Sequence, residues 1–270
     1  MPTPPSPKEL AFTGPVDQGA RGKAVRFVQE WLTLNGSAVA IDGNFGPATR
    51  AAVVSFQQRN NIQTRGTVDA RTHDVLTAPM RRALAIPRNL SEDFGAATVA
   101  LARQHLAEHP REVGGPNCGP WVRLYMDGNQ GVDWPWCAGF VSLILRQAAA
   151  AQGRGLPFPR TYSCDILATN GQCRGLFVNG RDIADGDRQN ALQPGMVFLC
   201  RRMPDDWVHT GFITETNTNS FGTIEGNTND SGSREGIEVL ERTRGYAKMD
   251  FVRLKRLDPL PGSRLTSRHE

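Results

Sequence analysis

A cysteine nucleophile needs a setting that favours thiolate, a histidine to exchange its proton, and a polar group to orient that histidine. Cys137 stands in Trp134-Pro135-Trp136-Cys137-Ala138-Gly139-Phe140-Val141. Pro135 and the apolar run behind it place the thiol in the first turn of a buried helix, where amides without intrahelical partners favour an anion. His209, in Trp207-Val208-His209-Thr210-Gly211-Phe212-Ile213, falls within a predicted strand. Alternation puts it on the same face as Trp207 and Gly211, and the small Gly211 leaves room for a substrate. Glu225, in Thr223-Ile224-Glu225-Gly226-Asn227, lies on the next predicted strand, and adjacent antiparallel strands bring such positions side by side. Asn227 on this evidence could equally turn the chain, with Asn229, Asp230 and Gly232 close by.

Other residues compete for chemistry. Cys118 sits in a Pro-flanked loop with no helix start immediately after it, so it ranks behind Cys137 as nucleophile. The chain has 5 Cys, an odd number, so pairing cannot be complete. No CxxC pair occurs, which argues against a structural zinc site. Cys164 and Cys173 are close enough in sequence to bridge a loop, and their redox state stays open. Trp134, Trp136 and Trp207 either line a groove for sugar or peptide or pack in the core. His105-Leu106-Ala107-Glu108-His109 fits an HxxEH zinc pattern, set against the plainer reading of a solvated helix end before Pro110.

The elements that must hold these residues follow from periodicity. A helix is expected over 96–109, stopped by Pro110, and the run over 137–151 is apolar nearly all round, as for a buried helix. Beyond Pro194 the period becomes two, in MVFLC, VHTGFIT, GTIEG, GIEVLER and MDFVRL, broken by Gly, Asn and Asp. A packed helix followed by antiparallel strands makes an α+β domain. Ahead of it, 16–79 reads as three helices. Gly22, Val25, Val28, Gln29 and Leu32 carry the first, Ala52, Val53, Phe56 and Gln57 the second, and the third begins near Asp69. The entry Gly66-Thr67-Val68-Asp69-Ala70-Arg71-Thr72 echoes Asp42-Gly43-Asn44-Phe45-Gly46-Pro47-Ala48-Thr49, so two half-units are expected. Gly43, Gly46 and Gly66 then supply turn geometry, while Asp42 and Asp69 cap helices. Residues 80–95 read as a linker, 1–15 as a loose N-terminus and 259–270 as a basic tail.

The G..V..Q..L, DG.FG..T, FQ and G.VD..T..L elements of 16–79 resemble the small three-helix peptidoglycan-binding domain often attached to cell-wall hydrolases. That resemblance implies a wall-binding surface near the loops at Asp42 to Phe45 and Arg65 to Val68. The stretch 96–258 resembles a CHAP domain, of the papain-like NlpC/P60 group. The matching pieces are E.GG.N.G....Y from Glu112 to Tyr125, the PWCAGFV helix start, the PG.V.F strand, HTGFI and IEGN. Met196 departs from the Asp often found after Pro-Gly in that family. The resemblance implies Cys137 as nucleophile, His209 as general base and acid, Glu225 as the residue orienting His209, and Asn227 as a further polar contact. It also implies acyl transfer on amide bonds of the wall. Asp127, Asn129 and Asp133 resemble the calcium loop of some CHAP domains but lack the EF-hand pattern; the resemblance requires no cofactor, and calcium is the metal that such a loop would take.

The chain has 270 residues, 39% of them hydrophobic and 21% charged, enough for two ordinary folded domains. Net charge is +4 without a clustered basic stripe, which excludes a typical nucleic-acid binder. The longest apolar stretch is far short of the ~20 residues that cross a bilayer. The expectation is therefore a three-helix bundle followed by a papain-like α+β domain with a central antiparallel sheet. The corresponding protein is a cell-wall cysteine amidase or endopeptidase with peptidoglycan as partner. The start shows no Sec-type signal, which suggests action on the wall after release as an endolysin or delivery as an effector; an effector would add an immunity protein and the delivery machinery as partners. The alternatives are a non-catalytic wall-binding protein and a cytoplasmic amidase of a glutathione-type conjugate.

Overall fold

The computed structural model describes residues 8–229 and 236–254; the basic tail and the first seven residues lie outside them. The N-terminal unit is helical, with α1 over Lys23–Leu34, α2 over Pro47–Arg59 and α3 over Ala70–Leu76. Val25, Val28, Trp31 and Leu32 of α1 form its buried stripe. The two half-units share one device. Buried Gln29 accepts from the Gly43 amide at 2.8 Å and donates to Thr49 Oγ1 at 3.2 Å. Buried Gln57 likewise accepts from the Gly66 amide at 2.9 Å and donates to Thr72 Oγ1 at 3.0 Å. Each glutamine supplies partners that a tight loop cannot find within itself.

The stretch expected as a linker, 80–95, is partly helical: α4 runs Ala78–Leu84, with Met80 and Ala83 buried. Helix α5 spans Phe94–Leu106, capped by Asp93 accepting from the Ala96 amide at 2.9 Å, so it starts and stops earlier than periodicity suggested. Helices α6 (Pro120–Tyr125), α7 (Cys137–Ala151) and α8 (Cys164–Cys173) follow. The strands are β1 (Phe177–Val178), β2 (Val197–Met203), β3 (Asp206–Thr216), β4 (Ser220–Thr228), β5 (Glu238–Gly245) and β6 (Met249–Val252). They form one antiparallel sheet in the order β1-β6-β2-β3-β4-β5. Helix α7 lies against this sheet, Phe140 meeting Phe212 edge-on at 6.2 Å. Gly226 makes the close approach possible, since a Cβ there would stand 2.7 Å from Phe140 Cβ.

The two units are not beads on a tether. They share one apolar core that includes Trp31, Trp121, Tyr125 and Trp136. Trp31 of α1 meets Trp121 of α6 at 6.2 Å, Trp121 stacks on Tyr125 at 6.3 Å, and Tyr125 stacks on Trp136 at 5.3 Å. This row of rings runs from the N-terminal helices to the residue before Cys137. Beside it, Arg123 is clamped between Glu9 at 2.7 Å and Glu30 at 2.8 Å, ion pairs that are mostly buried.

Candidate active site

Cys137 is the first residue of α7 and Trp136 its N-cap, with no side chain bonded to the cap position. The first-turn amides are therefore left for an anion. His209 comes from β3 and Glu225 from β4, both buried, and His209 Nε2 lies 2.8 Å from Glu225 Oε2. The last paired residues of β3 and β4 on this side are Phe212 and Ile224, so His209 and Glu225 project just past the ladder. With Nε2 committed, Nδ1 is the ring nitrogen left for the thiol. It is buried without a hydrogen-bond partner, while Cys137 is close enough for each group to alter the other's ionisation. Contacts of this kind tighten when substrate enters.

His209 is re-aimed by an irregularity. Cys200 pairs with His209 but Arg201 pairs with Trp207, so Val208 is an extra residue in β3. The bulge shifts the alternation and puts Trp207 and His209 on opposite faces, contrary to the shared face expected from spacing. Trp207 instead joins Arg201 at Asp250, its indole N–H donating to Asp250 Oδ2 at 2.9 Å.

Sequence reasoning missed the anchor beneath Glu225. Thr223 Oγ1 donates to Glu225 Oε1 at 2.6 Å, and Arg244 on β5 forks onto both carboxylate oxygens. Only the pairing of Phe221 with Arg244 across β4 and β5 brings that guanidinium over. Burial would raise Glu225, yet Arg244 and His209 hold it down at about 2. Burial would lower His209, yet its interactions with Cys137 and then Glu225 push it up to about 9. The Cys137 thiol is pulled well below its ordinary range, first by a hydrogen bond with Cys164, against burial, and then by His209 and the Ala138 amide. Burial pushes Cys118 and Cys200 the other way. A thiolate beside an imidazolium is the form these shifts favour at Cys137, and it is a nucleophile paired with a proton donor.

Two clefts meet at Asp133 and Pro135, just ahead of Cys137. One, of about 580 Å³, is lined by Cys137, Trp134, Tyr162, Cys164 and Trp207. The other, of about 720 Å³, is lined by Glu112, Asn117, Asp133 and Asn227. Asn227 takes a left-handed φ of 55°, and its side-chain oxygen is buried without a partner. Glu225 is the residue in contact with His209, while Asn227 lines the larger cleft. Trp134 and Trp207 both line the smaller cleft.

Three of the substrate-binding expectations are corrected. Trp136 has no exposure and donates to Glu112 Oε1 at 2.9 Å, so it braces the start of α7 and does not face a ligand. Phe45 is fully buried in the N-terminal unit. Asp42 is exposed but accepts from Gln29 and the Asn44 amide, both at 2.8 Å, which is a loop-holding role.

The metal readings fare no better. His105 is buried, with Nδ1 at 3.0 Å from Tyr125 and Nε2 at 3.0 Å from Gln147, while His109 lies past the helix end at φ 50°. The two imidazoles share no helix face, and Glu108 pairs with Arg82 at 2.6 Å. In the calcium reading, Asp127 is already held by Arg160 and by the Tyr162 hydroxyl, and Asn129 donates to the Met126 carbonyl at 2.9 Å. A cation partner on the central carboxylate does not suit calcium, and no group of three or more His, Cys, Asp or Glu able to hold a metal occurs among the described residues. Cys164 and Cys173 stand at the two ends of a ten-residue helix. Their separation of about 14 Å at ~1.5 Å per residue exceeds disulfide reach.

A helical binding unit fused to an antiparallel sheet that buries a thiol, an imidazole and a carboxylate together defines a two-part protein with a cysteine-centred site. The first part has a family. The chain carries a peptidoglycan-binding domain at its N-terminus, since residues 21–76 match the model described as a putative peptidoglycan binding domain. That places its role at the cell wall. Comparison with curated proteins gives no match. Among solved structures, the SleB N-terminal domain is 31% identical over 25% of this chain and 96% of its own, with a TM-score of 0.25. The fused Zn-dependent amidase/peptidase/peptidoglycan-binding protein of Clostridium acetobutylicum is 30% identical over 33% of this chain, with a TM-score of 0.23. The Burkholderia AP3 phage endolysin is 26% identical over 40% of this chain, with a TM-score of 0.24. This chain spans 42% and 41% of the last two. No described helix is long and apolar enough to cross a membrane.

Proposed function

We propose that the protein is a cell-wall hydrolase that cleaves an amide bond of peptidoglycan through Cys137, in the manner of the CHAP, papain-like cysteine hydrolases. The observation that carries this reading is a buried thiol at an uncapped helix start, interacting with an imidazole whose other nitrogen is held by Glu225 at 2.8 Å.

The Cys137 thiolate attacks the amide carbonyl, forming a C–S bond, while the first-turn amides of α7 receive the oxyanion. His209, carrying its proton on Nδ1, hands it to the leaving amine as the C–N bond breaks. Water then attacks the thioester, His209 accepts its proton, and the thiolate is released. Glu225 keeps the ring's Nε2–H in place throughout, and Arg244 with Thr223 keeps Glu225 in place.

The wall-binding unit supports peptidoglycan over a small soluble amide as substrate, because an enzyme held on a polymer meets its bonds at high effective concentration. Incubation with purified sacculi, followed by mass spectrometry of the released ends, is the test. New amines at L-alanine with free muramic lactyl groups mean an amidase; new peptide termini mean an endopeptidase. Intact sacculi after exposure to folded, reduced protein would leave a wall-binding protein without this activity.

A further inference from the structure

The nucleophile has a second thiol beside it. Cys164 Sγ lies 3.8 Å from Cys137 Sγ, within sulfur hydrogen-bonding distance, and both residues are buried. The two sulfurs reach each other from the first residues of two helices, α7 and α8. Both line the 580 Å³ cleft. One proton between two sulfurs must settle on one of them. His209 interacts with Cys137, while the neighbour of Cys164 is Asp165, a carboxylate that accepts from the Trp207 amide at 2.7 Å. The imidazole favours the negative charge on Cys137, which leaves the shared hydrogen on Cys164.

We infer that Cys164 is a positioning residue whose S–H donates to the Cys137 sulfur, holding it as thiolate in the resting site and fixing its place in the cleft. The need for such a donor follows from burial. A thiolate at 5% exposure has lost its water, and the α7 amides and one imidazole are its remaining partners. The inference rests on Cys137 being the nucleophile, but it concerns a sulfur and can be read without any wall substrate.

The test is the pH dependence of Cys137 alkylation by iodoacetamide, followed peptide by peptide by mass spectrometry, in the unaltered chain, Cys164→Ala and Cys164→Ser. Loss of the donor in Cys164→Ala is expected to raise the Cys137 midpoint by about one pH unit, a tenfold loss of thiolate at a given acidic pH. Cys164→Ser retains an O–H donor and is expected to stay within a few tenths of a unit. Equal midpoints in all three chains, or equal rises in both variants, would overturn the inference, the second by showing that packing alone is at work. A second measurement needs no variant. Diamide, an azo oxidant, should join Cys137 to Cys164: two S–H bonds break, one S–S bond forms, and both hydrogens pass to the N=N bond of the oxidant. Cross-linking of other cysteines with this pair left apart would overturn the proximity itself. Failure of either measurement would leave the sacculus assay free to succeed, so the two readings fall separately.

Discussion

Replacing Arg244 by methionine removes a charge from the base of the site while keeping a long side chain. Glu225 has no exposure, and its carboxylate is shared by Arg244, His209 and Thr223. Removing one partner of a buried ion pair costs about 3–5 kcal/mol. An independent route gives the same scale: a carboxyl held at about 2 against an ordinary 4.5 contributes about 3 kcal/mol at neutral pH. Because His209 remains, the lower end applies, about 3 kcal/mol, or a fall in Tm of roughly 6–12 °C for a domain of this size. The folded-state value of Glu225 lies below the unfolded one, so its contribution is present above about 4.5 and is lost as pH falls toward 2. Arg244→Met should therefore unfold at a higher pH during acid titration. The assay is thermal and acid unfolding of the reduced protein, with Glu225→Gln/Arg244→Met beside it, since removing both charges should restore much of the lost stability. A single variant melting within about 2 °C of the parent, or a double variant no better than the single, would refute the reasoning.

Cys137→Ala should abolish release of wall ends while sacculus pull-down stays intact; residual turnover would place the nucleophile elsewhere. The folded value of His209, about 9, lies above the ordinary 6.5, so the charge on its ring is retained through neutrality and lost as pH rises through 9. Turnover should accordingly hold to about pH 8.5 and decline beyond it, and a profile falling from pH 7 would contradict the pairing. Trp136→Phe takes the donor from Glu112 and should cost about 1–3 kcal/mol with the cleft unchanged, measured by urea unfolding. Deleting residues 1–77 should lower the melting temperature of what remains as well as wall binding, because it bares Trp121 and leaves Arg123 without Glu9 and Glu30. An unchanged melt would mean the units are independent after all.

What could be read in advance depended on how local its cause is. The start of α7 is set by residues within one turn, so Pro135 and the apolar run that follows suffice to place Cys137. The halves of the N-terminal unit are set by repeated short loops, so their kinship showed in the letters, and Gln29 and Gln57 now explain it. The strand carrying His209 was legible by its period, but its facing was not. A single extra residue at Val208 puts Trp207 on the face opposite His209, and nothing in Trp-Val-His-Thr announces a bulge.

The contacts of Arg244 with Glu225 and of Cys164 with Cys137 escape the sequence for a longer-range version of the same reason. Arg244 reaches Glu225 only because β5 pairs with β4 in the register that sets Phe221 opposite Arg244, and Cys164 reaches Cys137 only because α8 starts where α7 starts. Residue type was an equally poor guide among the tryptophans. Trp134 lines the cleft and Trp136, two residues on, lies in the row of rings that joins α1 to α7. That row has a functional consequence. The N-terminal unit and the helix that begins at Cys137 are braced by one stack of rings, so a perturbation at Trp31 reaches Trp136 through packed side chains with no hinge between. Trp31→Ala should therefore slow alkylation of Cys137 although residue 31 touches no cleft, whereas independent units would leave that rate untouched.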